Sequence, residues 1–212
     1  MLQQTIKSIQ PLDQEAMAQA QARQNQLTKP AGSLGRLESL SIQIAGMTGQ
    51  LNPSLTNRAV IVAAGDHGVT AEGVSAFPSA VTPQMVLNFL NEGAAINVLA
   101  QQAHARVLVL DAGVAAELPE HPKLINAKVA FGTQNFAVGP AMTREQAIQS
   151  IEAGIAVVTQ ECQNGLNLVG TGDMGIGNTT PSSAICALLT QTDIAEVTGR
   201  GTGIDYSGWE HK

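Results

Sequence analysis

Gly170-Thr171-Gly172-Asp173-Met174-Gly175-Ile176-Gly177-Asn178-Thr179-Thr180-Pro181 is the stretch on which the reading of this chain turns. The apolar run 166–169 (LNLV) predicts a strand entering it, and Pro181 opens a predicted helix over 181–189. Between them, four glycines alternate with one carboxylate, one amide and hydroxyls. Glycine lets the backbone approach a ligand closely, and the N–H groups of a helix start attract anions. The stretch therefore reads as a loop that holds a phosphate through Gly175, Gly177, Asn178 and Thr179, with Thr180 as helix cap. Asp173 stands close by for chemistry or for a ribose contact. A plain strand-to-helix connection takes about 2–6 residues. The predicted loop exceeds that, which favours a functional role over a simple turn.

Working outward, strand and helix patterns alternate. Residues 59–64 (AVIVAA) predict a strand, 82–102 a helix capped by Thr82 with Pro83 in its first turn, and 106–110 (RVLVL) the next strand. Residues 124–131 predict an edge strand, 143–163 a helix with a Thr143-x-x-Gln146 capping box, and 194–198 a last strand. Strand, helix, strand in this order implies an α/β fold with a parallel sheet. Before it, 13–26 and 36–48 read as two helices split by Lys29-Pro30-Ala31-Gly32. The expected organisation is an N-terminal helical appendage over 1–50 and an α/β core over 51–212.

Three predicted strands end alike, in Asp66-His67-Gly68, Asp111-Ala112-Gly113 and Gly172-Asp173. Ligands of open α/β sheets bind outside the carboxyl ends of the strands, so Asp66, Asp111 and Asp173 are expected on one rim. His67 beside Asp66 is open to either an acid/base or an incidental reading. Phe77 lies in a loop before the helix at Thr82, where an aromatic either stacks on a flat ligand or packs on that helix. Arg200, in Gly199-Arg200-Gly201, is a cation suited to a phosphate.

The 212 residues are 44% hydrophobic, 13% charged and only 3% aromatic. That composition suits a core of Ala, Val, Ile and Leu between two helical layers. The net charge of −6 without a basic patch argues against nucleic acid. No apolar run spans a bilayer, and no signal peptide is evident. Cys162 and Cys186 stand singly, without metal spacing. A cytoplasmic chain with no metal is expected. Gly170-x-Gly172-x-x-Gly175, with Asp193 18 residues on, formally matches a dinucleotide fingerprint. An NAD-dependent oxidoreductase is thus an alternative, although the fingerprint's helix opens inside the glycine triplet and here it is expected later.

At KPAGSLGRLE (29–38), AGDHGV (64–69), EGVSAFPSAVTPQMV (72–86), EGAAINVLA (92–100), GTGDMGIGNTTPSSA (170–184) and GRGTGID (199–205) the chain resembles the nicotinate-nucleotide–dimethylbenzimidazole phosphoribosyltransferase family. The resemblance implies a Rossmann-like parallel sheet with helices on both faces, usually in a homodimer. It implies transfer of phosphoribose from nicotinate mononucleotide to 5,6-dimethylbenzimidazole, giving α-ribazole 5′-phosphate and nicotinate for the lower ligand of cobalamin, with no cofactor. It assigns the mononucleotide to Gly175, Gly177, Asn178 and Thr179, an acid near the reacting ribose to Asp173, and a family lysine to Lys212. Phe77 and Met85 fall on the segment lining the benzimidazole pocket, where some members carry Ser and Gln. Asp66 is taken as a further substrate contact. Family members run well past residue 212, and their general-base glutamate lies in that further part. The expectation is a C-terminally truncated member, weakly active or serving only as a mononucleotide-binding or dimerisation fragment.

Overall fold

A computed structural model describes residues 1–212. The chain divides into two compact units, one of Met1 and Gln3–Thr56 and one of Leu2 and Asn57–Lys212. The first holds helices α2 (Gln14–Gln26) and α3 (Arg36–Thr48), preceded by α1 (Leu2–Ser8). Asp13 caps α2 by accepting from the Ala16 N–H at 3.0 Å. Ala16, Ala20 and Ala45 are buried together with Ile42 against them.

The second unit carries β1 (Arg58–Gly65), α4 (Val81–Leu90), α5 (Ala95–Gln102), β2 (Ala105–Gly113), β3 (Leu124–Asn126), α6 (Arg144–Gln163), β4 (Leu168–Met174), α7 (Thr179–Thr190), α8 (Ile194–Val197) and α9 (Tyr206–His211). The four strands are parallel in the order β3-β2-β1-β4. Alternation along β1 sends Val62 and Ala64 into one cluster with Val86, Phe89, Leu90 and Val109, under α4. Ile61 goes into another with Leu110 and Val157, under α6. The central strands β1 and β2 are thus covered on both faces, as their apolar runs require, while β4 stays largely exposed. No helix is long and apolar enough to cross a membrane.

Six expectations are corrected. The glycine stretch is not a loop from residue 170: β4 runs to Met174, and Gly170 and Gly172 lie within it. Pairing of every residue from Arg58 to Ala64 with β4 overrides glycine's weak strand preference. Only residues 175–178 connect β4 to α7, an ordinary length, so length carries no functional argument. Helix α7 opens at Thr179 with Asn178 at the cap position, and Thr180 is buried within its first turn. The expected helix 82–102 is two, because Glu92 takes φ +60° and stops α4. Thr82 is not its cap. It is fully buried, and its Oγ1 accepts from the Ile176 N–H at 3.0 Å. Residues 194–197 form a helix rather than a strand, because Asp193 accepts from the Ala195 N–H at 2.8 Å and caps it. The edge strand β3 stops at Asn126, within three residues.

Candidate functional site

The register sets Ala64 level with both Asp111 and Met174, so β1, β2 and β4 end together. Past β1, the Asp66 N–H donates to the Gly113 carbonyl at 2.9 Å. Its Oδ2 accepts from the Ala115 N–H at 2.8 Å, which leaves Oδ1 buried without a partner. The segment at Gly132 and Thr133 closes over Asp66: the Thr133 N–H donates to the Asp66 carbonyl at 3.0 Å, and the Gly68 N–H to Thr133 Oγ1 at 3.2 Å. His67 follows, partly buried, with no hydrogen bond on its ring. Burial holds its imidazole below the ordinary histidine value, against the opposing pull of the Asp66 and Asp173 charges.

The next turn is pressed against these residues. A Cβ on Gly175 would lie 2.0 Å from the Gly65 carbonyl oxygen and 2.9 Å from His67 Nε2. Gly177 takes φ +82° and packs on Thr70 and Val74. Of the turn's amides, Ile176 donates to Thr82, Asn178 to Gly175 and Thr180 to Gly177. Those of Gly177 and Thr179 have no partner in the chain, at the N-terminus of the twelve-residue α7. Lys212 reaches this point. Its Nζ donates to Thr179 Oγ1 at 2.6 Å and to the Gly199 carbonyl at 3.1 Å, and burial lowers its ammonium below the usual lysine range.

A cavity of about 300 Å³ borders the turn, touching Met174, Asn178, Pro181 and Ser182 but not Gly177, Thr179 or Lys212. It lies among the strand ends, the 129–134 segment, α6 and α7, and its polar walls include Asp66, His67, Gln146, Asp173, Asn178 and Ser182. Asp173, near the end of β4, is exposed, and its Oδ2 accepts from the Asn178 amide. The predicted residues thus fall into two adjoining groups. Asp66, Asp173 and Asn178 border the cavity, while Gly177, Thr179 and Lys212 gather at the start of α7. Gly175 joins them.

Asp111 does not belong to the rim. It is 1% exposed, its Oδ1 accepts from the Gly113 and Val114 N–H groups at 3.1 and 2.9 Å, and its Oδ2 pairs with Lys128 at 3.1 Å. That carboxylate is spent on its own turn. Phe77 is exposed, Met85 packs against the core under α4, and neither borders the cavity. Arg200 is exposed. Sequence reasoning left Thr133, Gln146 and Ser182 out of the site. Only Gln146 had a signal: its capping box marks the start of α6, which the topology brings to the carboxyl edge of the sheet.

A family profile described as phosphoribosyltransferase matches residues 9–212. The nicotinate-nucleotide–dimethylbenzimidazole phosphoribosyltransferase of Roseiflexus sp. (strain RS-1) is 60% identical over 212 residues, covering all of this chain and 60% of that relative. Its counterpart in Chloroflexus aurantiacus (strain ATCC 29366 / DSM 635 / J-10-fl) is 58% identical over the same extent. The crystal structure of CobT from Thermus thermophilus superposes with a TM-score of 0.90 at 50% identity, covering 93% of this chain and 59% of that one. The chain therefore spans about 60% of the length of the curated relatives it matches. With the profile covering nearly all of it, the chain belongs to the nicotinate-nucleotide–dimethylbenzimidazole phosphoribosyltransferase family.

Proposed function

We propose that this chain binds nicotinate mononucleotide at the turn between β4 and α7 and supports transfer of its phosphoribosyl group to 5,6-dimethylbenzimidazole. The observation that carries this reading is Asp173, which lines the cavity and is held by Asn178, next to a helix start whose Thr179 accepts from Lys212. The free amides of Gly177 and Thr179, with the Lys212 ammonium, suit a phosphate. In the reaction the bond from the anomeric carbon to the pyridinium nitrogen breaks, and its electron pair leaves with nicotinate. The sugar passes through an oxocarbenium-like state that a neighbouring carboxylate stabilises. The unprotonated benzimidazole nitrogen bonds to the anomeric carbon, and the proton on the other ring nitrogen goes to a base.

No residue of this chain is assigned that base, which the family resemblance puts beyond the part spanned here. A general base contributes about 10²–10⁴-fold, and orientation of the two reactants adds to it. The dinucleotide alternative is disfavoured because Gly170 and Gly172 lie inside β4, leaving only Gly175 of the triplet at the turn. Pairing of two copies belongs to the same proposal and is read by sedimentation. Phe77 and Met85 are proposed to face the acceptor base.

Calorimetry with nicotinate mononucleotide, followed by chromatography of α-ribazole 5′-phosphate, tests the reading. Asp173→Ala is expected to lower kcat on the order of 10²–10³-fold, with a much smaller loss of donor affinity. Absence of mononucleotide binding, or equal losses in both quantities, sinks it.

A further inference from the structure

We propose that Lys128 is a positioning residue for the transfer: its buried ammonium pins together two backbone segments that wall the cavity lined by Asp173. The inference rests on the donor reading above and adds to it a residue that acts without touching the reactants.

The Lys128 side chain is 11% exposed. Its Nζ donates to the Val114 carbonyl at 2.5 Å and to the Ala116 carbonyl at 2.7 Å, and it pairs with Asp111 Oδ2 at 3.1 Å. An ammonium has three N–H groups, and here there is an acceptor for each. The Phe131 ring centre lies 4.6 Å from the same nitrogen. Lys128 is not among the residues lining the cavity, so it acts through the backbone rather than on substrate.

The two segments it joins meet at Asp66. From the 111–116 turn, the Ala115 N–H donates to Asp66 Oδ2 at 2.8 Å, and the Gly113 carbonyl accepts from the Asp66 N–H at 2.9 Å. From the stretch after Lys128, the Val129 N–H donates to the Ala112 carbonyl at 3.1 Å and the Thr133 N–H to the Asp66 carbonyl at 3.0 Å. Ala112, Gly113, Val129 and Thr133 all line the cavity, as do His67 and Asp173. Stability alone is a poor reason for the Lys128–Asp111 pair. Replacing a buried ion pair by uncharged groups is often neutral or stabilising, whereas removing one partner is costly. What the pair supplies is geometry: one ammonium fixes three acceptors of a single turn and ties that turn to the wall that follows it. Such a tie acts on rate through orientation, since a misplacement of about 1 Å caused far from the reacting atoms can cost about 10²-fold.

The test compares the unaltered 212-residue chain with Lys128→Met and with the double variant Lys128→Met, Asp111→Asn. The single change leaves a buried carboxylate unpaired and is expected to lower the urea midpoint. The double change removes both charges, keeps an oxygen for the Gly113 and Val114 N–H groups, and is expected to regain much of that midpoint. In both variants kcat for α-ribazole 5′-phosphate formation is expected to fall about tenfold or more, with the calorimetric Kd for nicotinate mononucleotide within a few-fold of the original. The His67 ring signal, assigned by its loss in His67→Gln, reports on the wall without ligand. Burial lowers its titration midpoint, so NMR between about pH 5 and 8 is expected to show that midpoint rising toward the ordinary histidine value in both variants. A kcat and a His67 midpoint that return with stability in the double variant overturn the inference and leave Lys128 a purely structural residue. Donor binding without turnover in the unaltered chain leaves the His67 midpoint to decide, and a midpoint unmoved by the double change overturns the inference. No mononucleotide binding to the unaltered chain overturns the donor reading and this inference with it. Should Lys128→Met fail to fold, as shown by circular dichroism, the double variant carries the test.

Discussion

Gly175 is the residue on which the two strand ends depend. Its missing side chain lets β4 leave the sheet against the Gly65 carbonyl, 2.0 Å from where a Cβ would stand. Overpacking against backbone is not relieved by rotamers, so Gly175→Ala is expected to destabilise by about 2–3 kcal/mol or more, read as a lower urea midpoint. His67 gives a pH signature. Its charged form is disfavoured in the fold, so the unfolded chain binds that proton more tightly. Stability is then full above the ordinary histidine pKa of about 6.5 and is lost as pH falls through that value toward the lower folded one. Urea unfolding between pH 7.5 and 5 is expected to show a smaller acid loss in His67→Gln than in the unaltered chain, and parallel curves refute this. At this scale the sequence pointed to Asp66 and Asp173, because a carboxylate just past an apolar run marks a strand end, and to Asn178 through the glycine-rich stretch. It did not separate them from Asp111, which has the same local pattern. What distinguishes Asp111 is Lys128, 3.1 Å away in space and outside the motif.

Helix α6 shows why some elements were legible. Its start is written locally: Thr143 Oγ1 accepts from the Gln146 N–H at 3.2 Å, and Gln146 Oε1 accepts from the Thr143 N–H at 2.9 Å. Thr143→Ala is expected to cost about 1 kcal/mol, measured by thermal unfolding, and an unchanged midpoint would show that the box adds nothing to stability. Gln146 also lines the cavity, so the cap that starts the helix places one wall of the site. Helix α8 was misread because the apolar residues Ile194, Ala195 and Val197 outweighed the Asp193 cap, although the cap decides so short an element. Strand β4 was misread for the opposite reason. Its Gly170 and Gly172 have a loop's composition, but a Cβ at either would stand 3.5–3.6 Å from Val60 or Val62, in ordinary contact. Pairing with β1, a non-local effect, makes them strand.

Across the whole chain, alternation of apolar strands and helices was enough to indicate a parallel sheet with helices on both faces. The boundary between units was not fixed by composition: the helical segment was expected to end at residue 50, and the compact units divide after Thr56. The division has an energetic basis within each unit. The cluster of Ala16, Ala20, Ala45 and Ile42 is drawn from the first. Both clusters on the sheet are drawn from the second, as is every residue lining the cavity. The second unit also leaves the outer edge of β4 unpaired, with Leu168 47% exposed, and leaves Leu188 and Leu189 of α7 80% and 77% exposed. An unpaired parallel edge beside apolar helix surface promotes association, so the measurement must be made at low concentration. A fragment of residues 57–212 keeps both sheet clusters, the β4–α7 turn, Lys212 and the cavity. It is expected to unfold in a single cooperative urea transition and to bind nicotinate mononucleotide within a few-fold of the full chain. A fragment that folds cooperatively but loses the mononucleotide would mean that residues 1–56 supply part of the donor site. A fragment without a cooperative transition would mean that the sheet unit does not carry its own stability, despite having both of its clusters intact.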